Sequence, residues 1–235
     1  MQSEHVSDPA EPGLRSAKRG GSTLFQKGGP NIPTRNIMTT EIISVVFAGV
    51  GGQGILLASE VTARAAMAAG YDVKTNEVHG MAQRGGSVIA QVRFGTAVPG
   101  PLVPPGGARV LASLERIEAL RYAEYLAPGG LAVVSTQAVI PVTVSSGQAV
   151  YPADAEARLR RVFPRLVLID AVAEATKLGQ ARAANLVILG AVAGELPLPP
   201  EAWTEAIRAC VKPQHVDVNL KAFAVGRALA ASGRG

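Results

Sequence analysis

The sequence predicts an α/β fold, a Rossmann-like three-layer sandwich on a mostly parallel sheet with a helical C-terminal region. Three observations predict it. Short β-branched runs, starting with Ile42-Ile43-Ser44-Val45-Val46-Phe47-Ala48, alternate with longer helix-like stretches, and that alternation implies right-handed crossovers and a doubly wound sheet. A glycine-rich turn, Gly49–Gly54, joins the first run to the first helix. Apolar residues make up 48% of the chain but aromatics only 4%, a balance that suits thin, close-packed helix-on-sheet layers better than a β-sandwich.

The elements follow in order. Residues 1–38 are rich in Gly, Pro, Ser and scattered charge without apolar periodicity, so they are expected to be a disordered extension. They lack the apolar core of a signal peptide, and Met38 directly precedes the first regular element, where translation is also able to begin. A single domain is expected over 39–231, with 232–235 as a tail. After the Ile42–Ala48 strand, whose continuous apolar run fits a buried parallel strand, a helix is predicted from about Gly54 to Ala69 and capped by Gly70. Strands follow at Tyr71–Asn76 and at Ser87–Phe94, separated by a polar loop, Gly80–Gly86. Beyond Pro99–Gly107 come a strand at Arg109–Leu114, a helix at about Glu115–Leu126 stopped by Pro128-Gly129-Gly130, and a strand at Leu131–Ser135. Val139–Tyr151 reads as extended, Ala153–Val162 as helix and Leu166–Asp170 as strand. Three helical stretches finish the chain: Ala171–Gly194 with a break near Gly179, Pro200–Cys210, and Val216–Ala230.

Composition excludes several classes. The net charge of +5 is scattered, with no basic stripe interleaved with aromatics of the kind that reads nucleic acid. No apolar stretch reaches the length of a membrane span. Cys210 is the only cysteine, so the chain has no internal disulfide and cannot supply the thiolates of an iron–sulfur cluster or a Cys₄ zinc site. A lone half-buried thiol fits a reducing, cytoplasmic setting. No metal-ligating set and no catalytic residue stands out.

Two segments carry candidate chemistry. Gly49-Val50-Gly51-Gly52-Gln53-Gly54 matches G-x-G-x-x-G between a strand and a helix, where the first glycine makes the turn, the second lets backbone approach a phosphate, and the third lets helix pack on strand. The helix N-terminus then faces an anion. Glu77, at the end of the second strand, has the spacing of a ribose-binding acid. A dinucleotide site and a ligand-free βα turn both remain open on this spacing. The second segment, Asn76-Glu77-Val78-His79-Gly80-Met81-Ala82-Gln83-Arg84-Gly85-Gly86-Ser87, lies at a strand end where open α/β sheets bind ligands. Arg84 can fork onto a phosphate or carboxylate, His79 can carry a proton near neutrality, Gln83 adds an amide, and Gly85-Gly86 can expose backbone N–H groups. The alternative is that these side chains only tie the loop to the first turn.

These two blocks, in this order and spacing, resemble the gamma domain of pyruvate:ferredoxin and related 2-oxoacid oxidoreductases, and most closely the separate beta subunits of the indolepyruvate:ferredoxin enzymes. Asn219-Leu220-Lys221-Ala222-Phe223 with Gly226 is similar to the family's last helix, so the resemblance spans about residues 42–229. It implies a subunit of a complex in which thiamine diphosphate with Mg²⁺ attacks the 2-oxoacid, electrons pass through [4Fe–4S] clusters to ferredoxin, and coenzyme A captures the acyl group. This chain carries neither cluster cysteines nor a Gly-Asp-Gly…Asn diphosphate motif, so those cofactors are expected on a large alpha subunit. What is left for this chain is a loop pair, Gly49, Gly51, Gly52, Gln53 and Gly54 with His79, Gln83, Arg84, Gly85 and Gly86, suited to holding coenzyme A or closing the cavity over the cofactor. An autonomous NAD(P) dehydrogenase and a noncatalytic Rossmann-type binding module are the competing classes.

Other residues read structurally. Asn185 is expected to cap the helix Leu186–Gly194, His215 to sit in a loop or cap, Trp203 to pack, and Cys210 to be a small buried apolar residue. His5 falls in the extension.

Overall fold

The computed structural model describes residues 41–79, 85–139 and 150–232. The expected extension at 1–38, and the tail beyond Ser232, lie outside the described residues.

Strand β1, Ile43–Val50, is buried along all eight residues. Helix α1, Ile55–Ala68, ends where Gly70 takes a left-handed φ of 89°. There Tyr71 N–H donates to Ala66 C=O and Gly70 N–H to Met67 C=O, a pair of bonds that only a residue free to adopt positive φ closes cheaply. Strands β2, Asp72–His79, and β3, Ser87–Gly95, follow, then β4, Ala108–Ser113, and the short helix α2, Arg116–Arg121. A 3-10 turn at Ala123–Tyr125 leads into β5, Leu126–Ser135. Helix α3, Ala155–Val162, β6, Leu166–Ile169, and α4, Ala171–Lys177, come next. Helices α5, Ala184–Ala193, α6, Pro200–Cys210, and α7, Val216–Ser232, complete the order.

The six strands run β2-β3-β1-β4-β5-β6. The pairs β1–β4, β4–β5 and β5–β6 are parallel, whereas β3 is antiparallel to both β1 and β2. The sheet is thus mostly parallel, as expected, but β3 returns as a hairpin into the slot between β1 and β2. The reason is geometric: only residues 80–86 separate β2 from β3, and only an antiparallel partner is reached by so short a link. Two further expectations are corrected. The predicted helix Glu115–Leu126 stops at Arg121, and β5 begins at Leu126 rather than after Pro128-Gly129-Gly130. The pairing slips there, from Ala108 with Leu126 to Val110 with Leu131, so the Pro-Gly-Gly segment is accommodated as a bulge.

Alternate residues of β1 feed two cores. Ile43, Val45 and Phe47 pack under α1 and the helices α4–α7, while Val46 and Ala48 face Ala119 of α2 and Leu159 of α3. Helix α5 lies in the centre of the first layer with all ten residues buried, which explains why it lacks a single apolar stripe: apart from Asn185 its residues are apolar or glycine all round. Trp203 is 1% exposed and its ring lies 5.6 Å from Phe223, as expected of a packing residue. Among the described residues no helix is long and apolar enough to cross a membrane.

Candidate functional site

The chemistry-bearing segments gather at the carboxyl edge of the sheet, where β1 leaves for α1 and β4 for α2. The last rung of the β1–β3 ladder pairs Val50 with Ser87. One step further the two glycine-rich segments bond directly: Gly51 N–H donates to Gly86 C=O at 2.8 Å, and Gly85 N–H to Gly51 C=O at 3.4 Å. The antiparallel course of β3 makes this possible, because it brings Gly85-Gly86 back beside the turn that a parallel strand would have left behind.

Each glycine of the turn has its own use. A Cβ on Gly49 would collide with the side chains of Ile55 and Gln53, and one on Gly54, at φ +83°, with the Asn185 amide. Both are selected by crowding, at Gly49 inside the tight turn and at Gly54 where the helix packs, the uses the first and third positions of the motif have. Gly52 at φ +99° and Gly85 at φ +78° face open space instead. There positive φ rather than crowding selects glycine, and it leaves bare backbone at the surface. Gly54 caps α1 without a side-chain bond, and the helix has no acidic residue in its first turn, so the helix itself does not offset its positive end.

Gln53 is occupied by the protein itself. Its Oε1 accepts from Val50 N–H at 2.7 Å, while Nε2 donates to Leu114 C=O at 2.9 Å and to Gln137 Oε1 at 2.9 Å. It therefore staples the glycine turn to the ends of β4 and β5. Asn185 is not a helix cap: it sits inside α5, 3% exposed, with Nδ2 donating to Gly54 C=O at 3.2 Å and Oδ1 accepting from Leu186 N–H at 3.0 Å. The cap position falls on Ala183 because the 3-10 turn Ala181–Ala183 leads directly into the helix.

His79 ends β2 and pairs in register with Val88, which places its backbone at the same edge. Gln83 and Arg84 lie outside the described residues. Glu77 lies on the outermost strand, two strands from β1 or about 10 Å across the sheet, and accepts from Ser59 Oγ at 3.2 Å. A ribose-binding acid belongs on the strand next to β1, and here β3 fills that place.

Sequence reasoning missed a polar cluster on α2. Glu115, 2% exposed, caps the helix through Oε2, accepting from Ile117 N–H at 2.6 Å and Glu118 N–H at 2.9 Å. Its Oε1 accepts from Tyr151 OH at 2.6 Å and Val139 N–H at 3.4 Å. Burial, and then the Glu115 carboxylate, push the Tyr151 hydroxyl up to about 12, and the Arg116 guanidinium lies 5.5 Å above its ring. Nearer the loop, Ser87 Oγ donates to Glu118 Oε2 and contacts Tyr122 OH at 2.9 Å. The available signal was a pair of carboxylates, Glu115 and Glu118, just after the largely apolar strand β4, at the start of a helix where an acid can cap. Remote from this edge, burial and then Glu60 push the Cys210 thiol up to about 11, which favours the thiol over the thiolate at neutral pH. His215 closes a 3-10 turn, and its carbonyl accepts from Asn219 Nδ2 at 2.7 Å.

Comparison with known proteins agrees with this architecture. The family model described as pyruvate ferredoxin/flavodoxin oxidoreductase matches residues 44–229. The chain is 46% identical over 196 residues to the indolepyruvate oxidoreductase subunit IorB of Archaeoglobus fulgidus, covering 82% of this chain and 97% of that one. It is 45% identical over 190 residues to the IorB subunit of Pyrococcus horikoshii, covering 78% and 93%. The solved keto/oxoacid ferredoxin oxidoreductase gamma subunit of Geobacter sulfurreducens superposes with a TM-score of 0.60 at 23% identity, over 81% of this chain and 99% of that one. On these matches the chain belongs to the pyruvate ferredoxin/flavodoxin oxidoreductase family, with the separate beta-type subunits of its indolepyruvate branch.

Proposed function

We propose that the chain is the small subunit of a complex that oxidatively decarboxylates indolepyruvate or another aryl 2-oxoacid, and that its loop pair holds the phosphates of coenzyme A. The observation that carries this reading is the pair of backbone hydrogen bonds between the segments, Gly51 N–H to Gly86 C=O and Gly85 N–H to Gly51 C=O. It merges two glycine-rich backbones into one face beside the N-terminus of α1, the arrangement that favours a phosphate. The sequence between β2 and β3 carries His79, Gln83 and Arg84, residue types suited to a phosphate, and Gln53 holds the turn in shape.

The redox groups do not fit this chain. A [4Fe–4S] cluster takes four thiolates, and Cys210 is the only cysteine. No diphosphate–Mg²⁺ motif is present either. Thiamine diphosphate and the clusters therefore belong to a large alpha partner, which passes electrons on to ferredoxin in the cytoplasm. Thiamine diphosphate supplies the carbanion chemistry and the clusters remove the electron pair. This chain's residues position the thiol-bearing co-substrate and exclude water. Glu77 on the outer strand weighs against a nicotinamide site.

Reconstitution tests the assignment. The purified chain, given thiamine diphosphate, Mg²⁺, coenzyme A, indolepyruvate and a viologen acceptor, is expected to be colourless and inactive, and to gain turnover on addition of the large partner. Substantial turnover by the chain alone would overturn the reading.

A further inference from the structure

Ser87 stands between the loop pair and α2, and the direction of its hydrogen bonds is determined. A serine hydroxyl carries one proton, and that proton goes to Glu118 Oε2. The 2.9 Å contact with Tyr122 must then run from the tyrosine hydroxyl into Ser87 Oγ. The result is a directed chain, Tyr122 to Ser87 to Glu118, that ends on a carboxylate only 6% exposed, whose other oxygen accepts from Arg121 Nε at 3.1 Å.

Stability alone does not call for this chain. Ala119 on the same helix and Ile89 on the same strand belong to the apolar core of this face, and apolar side chains of similar volume serve such a contact at least as well as a buried carboxylate. What a directed polar contact adds is a unique position. Ser87 pairs with Val50 in the last rung of the ladder, and the next residues, Gly86 and Gly85, are the ones bonded to Gly51. The segment has no side chain of its own with which to hold station. The Ser87 anchor grips it from the α2 side, and Gly51 grips it from the turn side.

We propose that Ser87, Glu118 and Tyr122 form a positioning unit that fixes Gly85-Gly86 against the glycine turn and thereby sets the affinity for the phosphate-bearing co-substrate, without touching it. The last clause rests on the coenzyme A reading above, so the test separates the two. The variants are Ser87→Ala, which removes the middle link, and Tyr122→Phe, which removes one donor and keeps the ring. Amide exchange at Gly51, read on the full chain, reports positioning directly. In the reconstituted complex, the Michaelis constant for coenzyme A reports its consequence.

Both variants are expected to speed Gly51 exchange and to raise the Michaelis constant for coenzyme A about three- to tenfold, the effect of losing one ordinary hydrogen bond. The values for the 2-oxoacid and for kcat stay unchanged, the signature of lost binding alone. Unchanged exchange at Gly51 in both variants overturns the positioning unit, whatever the kinetics show. Faster exchange with an unchanged coenzyme A constant keeps the anchor but overturns its link to coenzyme A, and with it the assignment of that ligand to the loop pair.

Discussion

Asn185 Nδ2 donates to the Gly54 carbonyl at 3.2 Å although 131 residues separate them, and the amide fills the space a Cβ on Gly54 would need. One side chain therefore joins the central helix α5 to the start of α1, just below the loop pair. Asn185→Ala removes this bond and leaves a small void, while the Gly54 carbonyl keeps its bond from Ala58 N–H, so a loss of about 1 kcal/mol is expected, or about 2–4 °C in Tm for a domain of this size. Asn185→Asp should cost more, because it buries a carboxylate facing a carbonyl oxygen. Thermal melts of the two variants check the order, and an aspartate variant as stable as wild type would contradict it.

Gly190 and Gly226 let α5 and α7 cross backbone against backbone in the first core. A Cβ on Gly190 would overlap the Phe223 carbonyl, and one on Gly226 the Val187 carbonyl. Backbone cannot swing aside as a side chain does, so either glycine changed to alanine pushes α5 and α7 apart. A loss of about 3 kcal/mol is expected, at the upper end of the usual overpacking range. Denaturant titration measures it, and a change below about 1 kcal/mol would show that the crossing relaxes more freely than its geometry suggests.

Much of this architecture was legible in the sequence. The β-branched run of β1, the glycine turn and the Gly70 stop follow from local rules, and the structure places each as expected. The insertion of β3 was not legible, because strand order is set by long-range pairing and Ser87–Phe94 reads alike in either direction. Likewise Pro128-Gly129-Gly130 signals a break in any local reading, yet β5 absorbs it as a bulge. At the site, glycine spacing identified the turn but not the partners of Gln53. Leu114 and Gln137 lie 61 and 84 residues away in sequence. Asn185 looked like a cap because nothing nearby in sequence indicates that its partner is Gly54.

Tyr151 gives a pH signature. Its hydroxyl is raised from 10.0 to about 12 in the folded chain, by burial first and then by Glu115. The unfolded chain thus loses this proton at lower pH than the folded one. The stabilisation is fully present below pH 10 and is lost as pH rises through about 12. Wild type should lose more stability between these values than Tyr151→Phe, which has no proton to lose. Denaturant unfolding at pH 9.5 and about pH 11.5 compares them, and parallel losses in the two proteins would contradict the Glu115–Tyr151 contact.

The loop pair is proposed to bind the phosphates of coenzyme A. Arg84 is the side-chain cation that the sequence brings to this loop, and Arg84→Ala removes a charge-assisted contact worth roughly 1.5–3 kcal/mol. If the loop only closed the cavity, the variant would depress turnover with every 2-oxoacid and leave coenzyme A affinity alone. Steady-state titration of coenzyme A with the reconstituted Arg84→Ala complex decides between these. The account predicts a Michaelis constant for coenzyme A raised on the order of 10- to 150-fold, with that of the 2-oxoacid nearly unchanged. An unaltered Michaelis constant for coenzyme A would contradict it.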